Sequence, residues 1–171
     1  VLRPSGVQNR TDFLCFRSHE EAAAYLDRNE GNVLLTVGSK ALSDYTKVRD
    51  YGNRIFPRVL PMPGVVERCS ALGFSGKQLI CMQGPFTADL NAAMIRQINA
   101  RYIVTKDSGE AGGFSEKYLA AKETGAELLV IGREKDEEGI SMEALLELLE
   151  NKYQLKFSNR AGAASPGTRE S

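Results

Sequence analysis

Apolar residues along this chain fall into two alternating patterns. Short unbroken runs, such as Val33-Leu34-Leu35, Tyr102-Ile103-Val104 and Leu128-Leu129-Val130-Ile131, have the length and bulk of strands buried on both faces. Between them, apolar positions recur at helical spacing, as in Leu90, Met94, Ile95 and Ile98. Asp12 to Phe16 reads as a possible first strand, and Ser18 as the cap of a helix through Leu26 that ends near Gly31. A strand at Asn32–Thr36 precedes a short helix over Leu42 to Val48. In the run Arg54 to Leu60, Pro57 removes a ladder donor, so either only the Arg58 end pairs or the strand lies at an edge.

Pro63 starts a helix over Gly64 to Leu72 that Gly73 stops. A strand at Leu79 leads through Thr87 into a helix, and a strand at Ile103 feeds a helix over Ser115 to Lys122, ended by Gly125. After the strand Glu127 to Ile131, Ser141 caps a final helix with Met142, Leu145, Leu146, Leu148 and Leu149 on one side. Strands alternating with helices predict an α/β domain: a mainly parallel sheet of about five strands with helices on both faces. Residues 153–171 read as a disordered tail or linker.

Bulk properties narrow the function classes. The chain has 171 residues, long enough for one domain with a real core. Twenty-two basic residues balance 22 acidic ones, so net charge gives no argument for nucleic acid, although local basic clusters can still hold a small anion. No apolar stretch approaches the ~20 residues of a membrane span. Cys15, Cys69 and Cys81 lack metal or redox spacing and read as buried free thiols of a cytoplasmic protein. The sole histidine, His19, follows the Ser18 cap at an expected surface position. Histidine catalysis and a histidine-rich zinc site are therefore not expected.

The chemistry lies in loops that leave the carboxyl ends of strands, where ligands of open parallel sheets bind. In Thr36-Val37-Gly38-Ser39-Lys40 a glycine turn places a hydroxyl and a lysine before a helix, which is either an anion site or a plain turn with a surface lysine. It lacks both the three-glycine dinucleotide fingerprint and the phosphate-loop pattern. Thr105, Lys106, Asp107, Ser108 and Gly109, with Gly112 and Gly113, form either a ligand cradle or a flexible surface loop. Glu116 and Lys117 lie one turn on, part of the site or of a solvated face.

In Met82-Gln83-Gly84-Pro85-Phe86, Pro85 stiffens a turn, Gln83 offers an amide, and Phe86 either stacks on a flat ligand or packs beneath the loop. Asn91, on the next helix, is placed to bond the loop backbone rather than a ligand. Arg58 and Arg133 end strands, where a bidentate grip on a carboxylate can form.

Taken in order, Gly38-Ser39-Lys40, Arg58-Val59-Leu60-Pro61, Met82 to Phe86, Asn91, Val104 to Gly109, Gly112-Gly113, Glu116-Lys117 and Ala120-Ala121 resemble the precorrin-6A reductase family of cobalamin biosynthesis, from about Arg3 to Leu149. The resemblance implies reduction, by NADPH or NADH, of one double bond of precorrin-6A or cobalt-precorrin-6A. It also implies two Rossmann-like three-layer domains, one for coenzyme and one for substrate, that exchange their last strands. The amino-terminal domain, with its Gly-Gly-Thr turn, is absent from this sequence. Residues 1–16 then read as the junction from that missing N-terminal domain, and 17–152 as the carboxyl-terminal domain.

On this reading Lys40, Arg58, Lys106, Lys117 and Arg133 contact carboxylates or phosphates, with Ser39, Gln83, Thr105 and Ser108 as neutral donors. No His, Asp or Glu stands out as the acid that completes the reduction, so solvent or the missing half is expected to deliver the proton. The resemblance does not say which ligand this half holds. An alternative is a non-catalytic nucleotide- or tetrapyrrole-binding domain.

Overall fold

The computed structural model describes residues 9–10, 13–107, 112–132 and 147. Among these residues seven strands form one sheet: β1 (Asn9–Arg10), β2 (Phe13–Phe16), β3 (Asn32–Thr36), β4 (Ile55–Val59), β5 (Ile80–Cys81), β6 (Ala100–Lys106) and β7 (Glu127–Ile131). Their order across the sheet is β1-β2-β7-β6-β3-β4-β5. Only β1 runs antiparallel to its neighbour; every other pair is parallel. The strands beyond the expected five are short edge pieces, two residues each in β1 and β5.

Helices cover both faces, and strand alternation divides the core between them. Val33, Leu35, Tyr102, Val104, Leu129 and Ile131 point to the face packed by α1 (His19–Arg28), α2 (Leu42–Tyr45) and α4 (Pro63–Ala71). Leu34, Ile103, Leu128 and Val130 point to the opposite face, against α5 (Ala88–Gln97) and α6 (Phe114–Thr124). The three central strands thus read as near-continuous apolar runs because both faces need filling. A further single-turn helix, α3 (Tyr51–Arg54), leads into β4.

Helix starts follow the sequence closely. Ser18 Oγ accepts from the Glu21 N–H at 3.2 Å, and Thr87 Oγ1 from the Leu90 N–H at 3.1 Å. Gly125, left-handed at φ 77°, ends α6. The possible first strand at Asp12 to Phe16 is present as β2, which pairs in parallel with β7 and buries Phe13 and Phe16. Three expectations are revised. The Leu42–Val48 helix shortens to α2, with Ala41 at its start offering no side-chain cap. β4 is not an edge strand: β3 pairs with Ile55 to Pro57, and β5 begins only at Arg58, past the donorless proline. Of the three thiols only Cys69 is buried; Cys15 is partly covered and Cys81 exposed, since β5 lies at the sheet edge. The expected Ser141 cap, the tail at 153–171 and the domain limit at 152 lie outside the described residues.

The chain walks outward from β3 to β4 and β5, then returns across the sheet to β6 and on to β7. Loops leaving β3 and β6 therefore diverge to opposite faces, and the carboxyl ends of these neighbouring strands frame a crevice.

Candidate functional site

That crevice holds a cavity of about 620 Å³, lined by Thr36 at the end of β3 and Gly38 after it, Arg58 and Val59 on β4 and Leu60 after it, Met82, Gly84, Pro85 and Phe86 after β5, Asn91 on α5, and Gly112, Gly113, Glu116 and Lys117 around the start of α6. Two of the glycines are demanded by the backbone: Gly38 at φ 80° and Gly113 at φ 66° occupy left-handed conformations. Gly113 stands at the N-terminus of α6 and lets the chain enter that helix directly beside the cavity.

Two cations dominate the wall. Arg58 is only 6% exposed. One of its terminal nitrogens donates to Asn91 Oδ1 at 2.7 Å and meets the Met94 sulfur at 3.5 Å, while its planar head lies 3.7 Å from the Phe86 ring centroid. Asn91 is held in turn by its Nδ2, which donates to the Thr87 carbonyl at 3.0 Å. Burial lowers the Arg58 pKa to about 10.

Lys117 is 8% exposed. Its Nζ donates to Thr105 Oγ1 at 3.1 Å and to the Gly112 carbonyl at 2.8 Å. Burial, then the Arg58 charge, brings its pKa down to about 8, against a smaller upward pull from Glu116. Among the described residues neither cation pairs with a carboxylate; the ion pairs there are Lys47–Glu20, Arg49–Asp27 and Arg96–Glu123, all exposed. An uncompensated buried ion costs several kcal/mol. Two on one wall make a place for an anion.

The opposite character sits at the rim. Leu60, Met62 and Met82 are the exposed large apolar side chains of the described residues, and Leu60 and Met82 border the cavity. The site thus joins an apolar lip to a cationic floor, a combination suited to a flat apolar body carrying carboxylates.

Of the residues singled out in the sequence, the fold brings Gly38, Arg58, Gly84, Pro85, Phe86, Gly112, Gly113 and Lys117 to this cavity. Thr105 lies fully buried just beneath, as the acceptor for Lys117. Ser39 is turned to Arg68, whose guanidinium donates to its Oγ at 3.4 Å; Lys40 and Gln83 are exposed and outside the lining. Lys106 and Asp107 end β6 away from the lining, with the Asp107 N–H tied to the Ile131 carbonyl at 2.9 Å. Ser108, Gly109 and Arg133 lie outside the described residues.

The solvated-face alternative for Lys117 does not hold, since the side chain turns inward over β6. Phe86 packs against the loop at Gly84 and against the core, with the Arg58 guanidinium over its ring, and it also lines the cavity. Thr36, Val59 and Leu60 also line the cavity; the sequence showed them only as members of the Thr36-Val37-Gly38-Ser39-Lys40 loop and of the Arg58-Val59-Leu60-Pro61 segment, with no role of their own. Elsewhere, His19 is half-buried with Nδ1 2.9 Å from the Tyr45 hydroxyl, and burial lowers its pKa. Among the described residues there is no acid, cysteine or histidine cluster able to hold a metal ion. No helix there is long and apolar enough to cross a membrane.

Comparison with known proteins places this geometry. The family model described as precorrin-6x reductase CbiJ/CobK matches residues 1–150. The cobalt-precorrin-6A reductase of Priestia megaterium is 39% identical over 124 residues, covering 71% of this chain and 49% of that protein. Its counterpart from Salmonella typhimurium is 38% identical over 133 residues, 77% of this chain and 50% of that protein. A solved CobK precorrin-6A reductase superposes with a TM-score of 0.59 at 17% identity, over 92% of this chain and 62% of that one, a likeness of fold. The chain spans about half the length of the curated relatives it matches. Family model, relatives and fold agree, and the chain belongs to the precorrin-6x reductase family.

Proposed function

We propose that this chain is the substrate-holding, carboxyl-terminal half of a cytoplasmic, NADPH- or NADH-dependent reductase that saturates one double bond of precorrin-6A or cobalt-precorrin-6A. The observation that carries the reading is the pair of buried cations, Arg58 and Lys117, without carboxylate partners among the described residues and beneath an apolar lip of Leu60 and Met82. A tetrapyrrole polycarboxylate matches both features: its broad face covers the lip, and its negative charge offsets that of the two cations.

A nicotinamide dinucleotide is also an anion, and the donor set fits one of its phosphates at Arg58 and Lys117, beside the glycine turn that opens α6. When bound, the nicotinamide supplies a hydride to the substrate. The Gly38-Ser39-Lys40 turn supports a dinucleotide less, because Ser39 is occupied by Arg68 and Lys40 stands outside the cavity. This chain's share of the work is to hold the macrocycle, orient its double bond and keep water from the reacting face.

The test is a titration of the chain with uroporphyrin, a tetrapyrrole polycarboxylate, and separately with NADPH, following the absorbance and emission of each ligand. The reading expects saturable uroporphyrin binding that weakens as salt rises, and weak or no NADPH binding. Saturable NADPH binding with no uroporphyrin binding would reverse the assignment. Tight binding of either ligand by an enzyme unable to turn over, even with a coenzyme-binding half supplied, would point to the non-catalytic binding module.

A further inference from the structure

Hydride addition leaves an electron pair on the neighbouring atom of the reduced double bond, and that atom must take a proton for the reaction to balance. The titratable groups on the described cavity wall are Arg58, Glu116 and Lys117. Arg58 keeps its proton at any working pH. Glu116 is only partly buried, and its Oε2 accepts from the Ser115 hydroxyl at 3.2 Å. We propose that Lys117 is the proton donor of the reduction, handing the third N–H of its ammonium to the carbon beside the one that receives hydride. This inference rests on the reductase reading above and extends it to a named acid.

The hydrogen bonds around Nζ fit that task. An ammonium has three N–H donors, and a neutral amine has two and a lone pair. Thr105 Oγ1 is a committed acceptor toward Lys117, because its own hydrogen is directed to the Lys106 carbonyl at 3.2 Å. The Gly112 carbonyl can only accept. Two N–H groups are therefore held in both protonation states, and the nitrogen keeps its place when the third proton leaves. Among the described residues that third N–H has no acceptor. After transfer, the lone pair occupies the same direction and is recharged by water.

The groups facing Nζ set its acidity in the same sense. Arg58 on β4 repels the ammonium, burial penalises it, and only Glu116 on its own helix favours it. The resulting pKa of about 8 lies near neutrality, where a general acid is most effective. Electrons and atoms balance: the reduced nicotinamide gives two electrons with one hydrogen, Lys117 gives the proton, and water restores it.

Two measurements test the role. In the 171-residue chain, NMR of the lysine side chains, with the Lys117→Arg variant identifying the resonance, should show Lys117 titrating near pH 8; titration in the ordinary lysine range would overturn the proposal. In the enzyme assembled with its coenzyme-binding half, Lys117→Arg keeps a positive charge but cannot release a proton. It should hold uroporphyrin within about threefold of wild type while reduction slows about 100-fold or more. A variant that reduces substrate at near the wild-type rate overturns the proton-donor role and leaves the reductase reading standing. Failure of the wild-type chain to bind uroporphyrin removes the substrate reading and this inference with it.

Discussion

Arg54 and Arg58 stand four positions apart, the first just before β4 at the end of α3 and the second near the carboxyl end of β4, and their surroundings differ completely. Arg54, at the amino end, is saturated by backbone carbonyls: its guanidinium donates to Gly31 at 3.0 and 2.9 Å, to Leu26 at 3.2 Å, to Asn29 at 2.6 Å and to Arg49 at 3.5 Å. All but the Arg49 carbonyl lie at or just past the C-terminus of α1, where a helix presents unpaired acceptors and partial negative charge. Arg101 does similar work nearby, donating to the Glu30 carbonyl at 3.1 Å. At the carboxyl end, Arg58 has one amide, one sulfur and one ring, and it shares a cavity wall with a second buried cation. The amino end of the sheet uses cations to finish the fold. The carboxyl end holds buried cations that have no carboxylate partner among the described residues.

The sharpest way to break this contrast is Arg54→Met, which strips several partly buried carbonyls of their donor. It should destabilise the chain by about 4 kcal/mol, since each bond to a charged group is worth about 1.5–3 kcal/mol before relaxation and re-solvation reduce the sum. Urea unfolding reads the loss; a change under about 1 kcal/mol would show that the carbonyls do not depend on it.

Next in size is the pH dependence carried by Lys117. Its folded pKa, about 8, lies below the unfolded value, so between these limits the unfolded chain binds the proton and the native chain does not. Stability should rise with pH from about 8 to about 10.5, by up to about 3 kcal/mol for this one group. The same scan of Lys117→Met, subtracted from wild type, isolates it from the tyrosines, whose raised pKa values act in the opposite sense above pH 10. An unchanged slope in the variant would mean that Lys117 is charged in the native protein throughout.

Arg58→Met separates stability from binding. Replacing a poorly paired buried cation with an apolar side chain should leave the unfolding free energy within about 1 kcal/mol of wild type or raise it. Uroporphyrin affinity should fall about 30-fold, or about 2 kcal/mol. A variant that unfolds readily and still binds would turn the comparison upside down. The smallest effect belongs to Thr87→Ala. Loss of the cap on α5 costs about 1 kcal/mol and loosens the turn from which Asn91 meets Arg58, so thermal melts should shift by a few degrees and affinity by less than Arg58→Met causes.

Much of the fold was legible because its determinants are local or periodic. Ser18 and Thr87 announce helix starts by reaching N–H groups three residues ahead, and Pro63 and Gly125 mark a start and a stop by backbone geometry alone. β2 was harder to place, since a four-residue strand shows its identity only when β7 pairs with it. The site divides in the same way. Gly38 and Gly113 were visible as glycines at strand-to-helix turns, and their positive φ values explain them. The separation of Lys40 from Lys117 was not visible. Each lysine follows a strand-end loop, yet Lys40 is exposed and Lys117 lies folded over Thr105, because α6 packs across β6 with that position inward.

By itself the sequence determined the alternation of strand and helix, the parallel sheet and the set of polar residues collected at strand ends, since propensity, capping and hydrophobic period act over a few neighbouring residues. Only the tertiary structure decided which cations lose their water. Arg54 and Arg58 are chemically identical in the chain. One meets carbonyls from α1 and the turn before β3, and the other meets Asn91 from α5, Phe86 from the β5 loop and, across a cavity, Lys117 from α6. Desolvation and partner geometry depend on atoms far apart in sequence, so the difference between an arginine sealed by carbonyls and one left on a cavity wall arises only when the sheet closes.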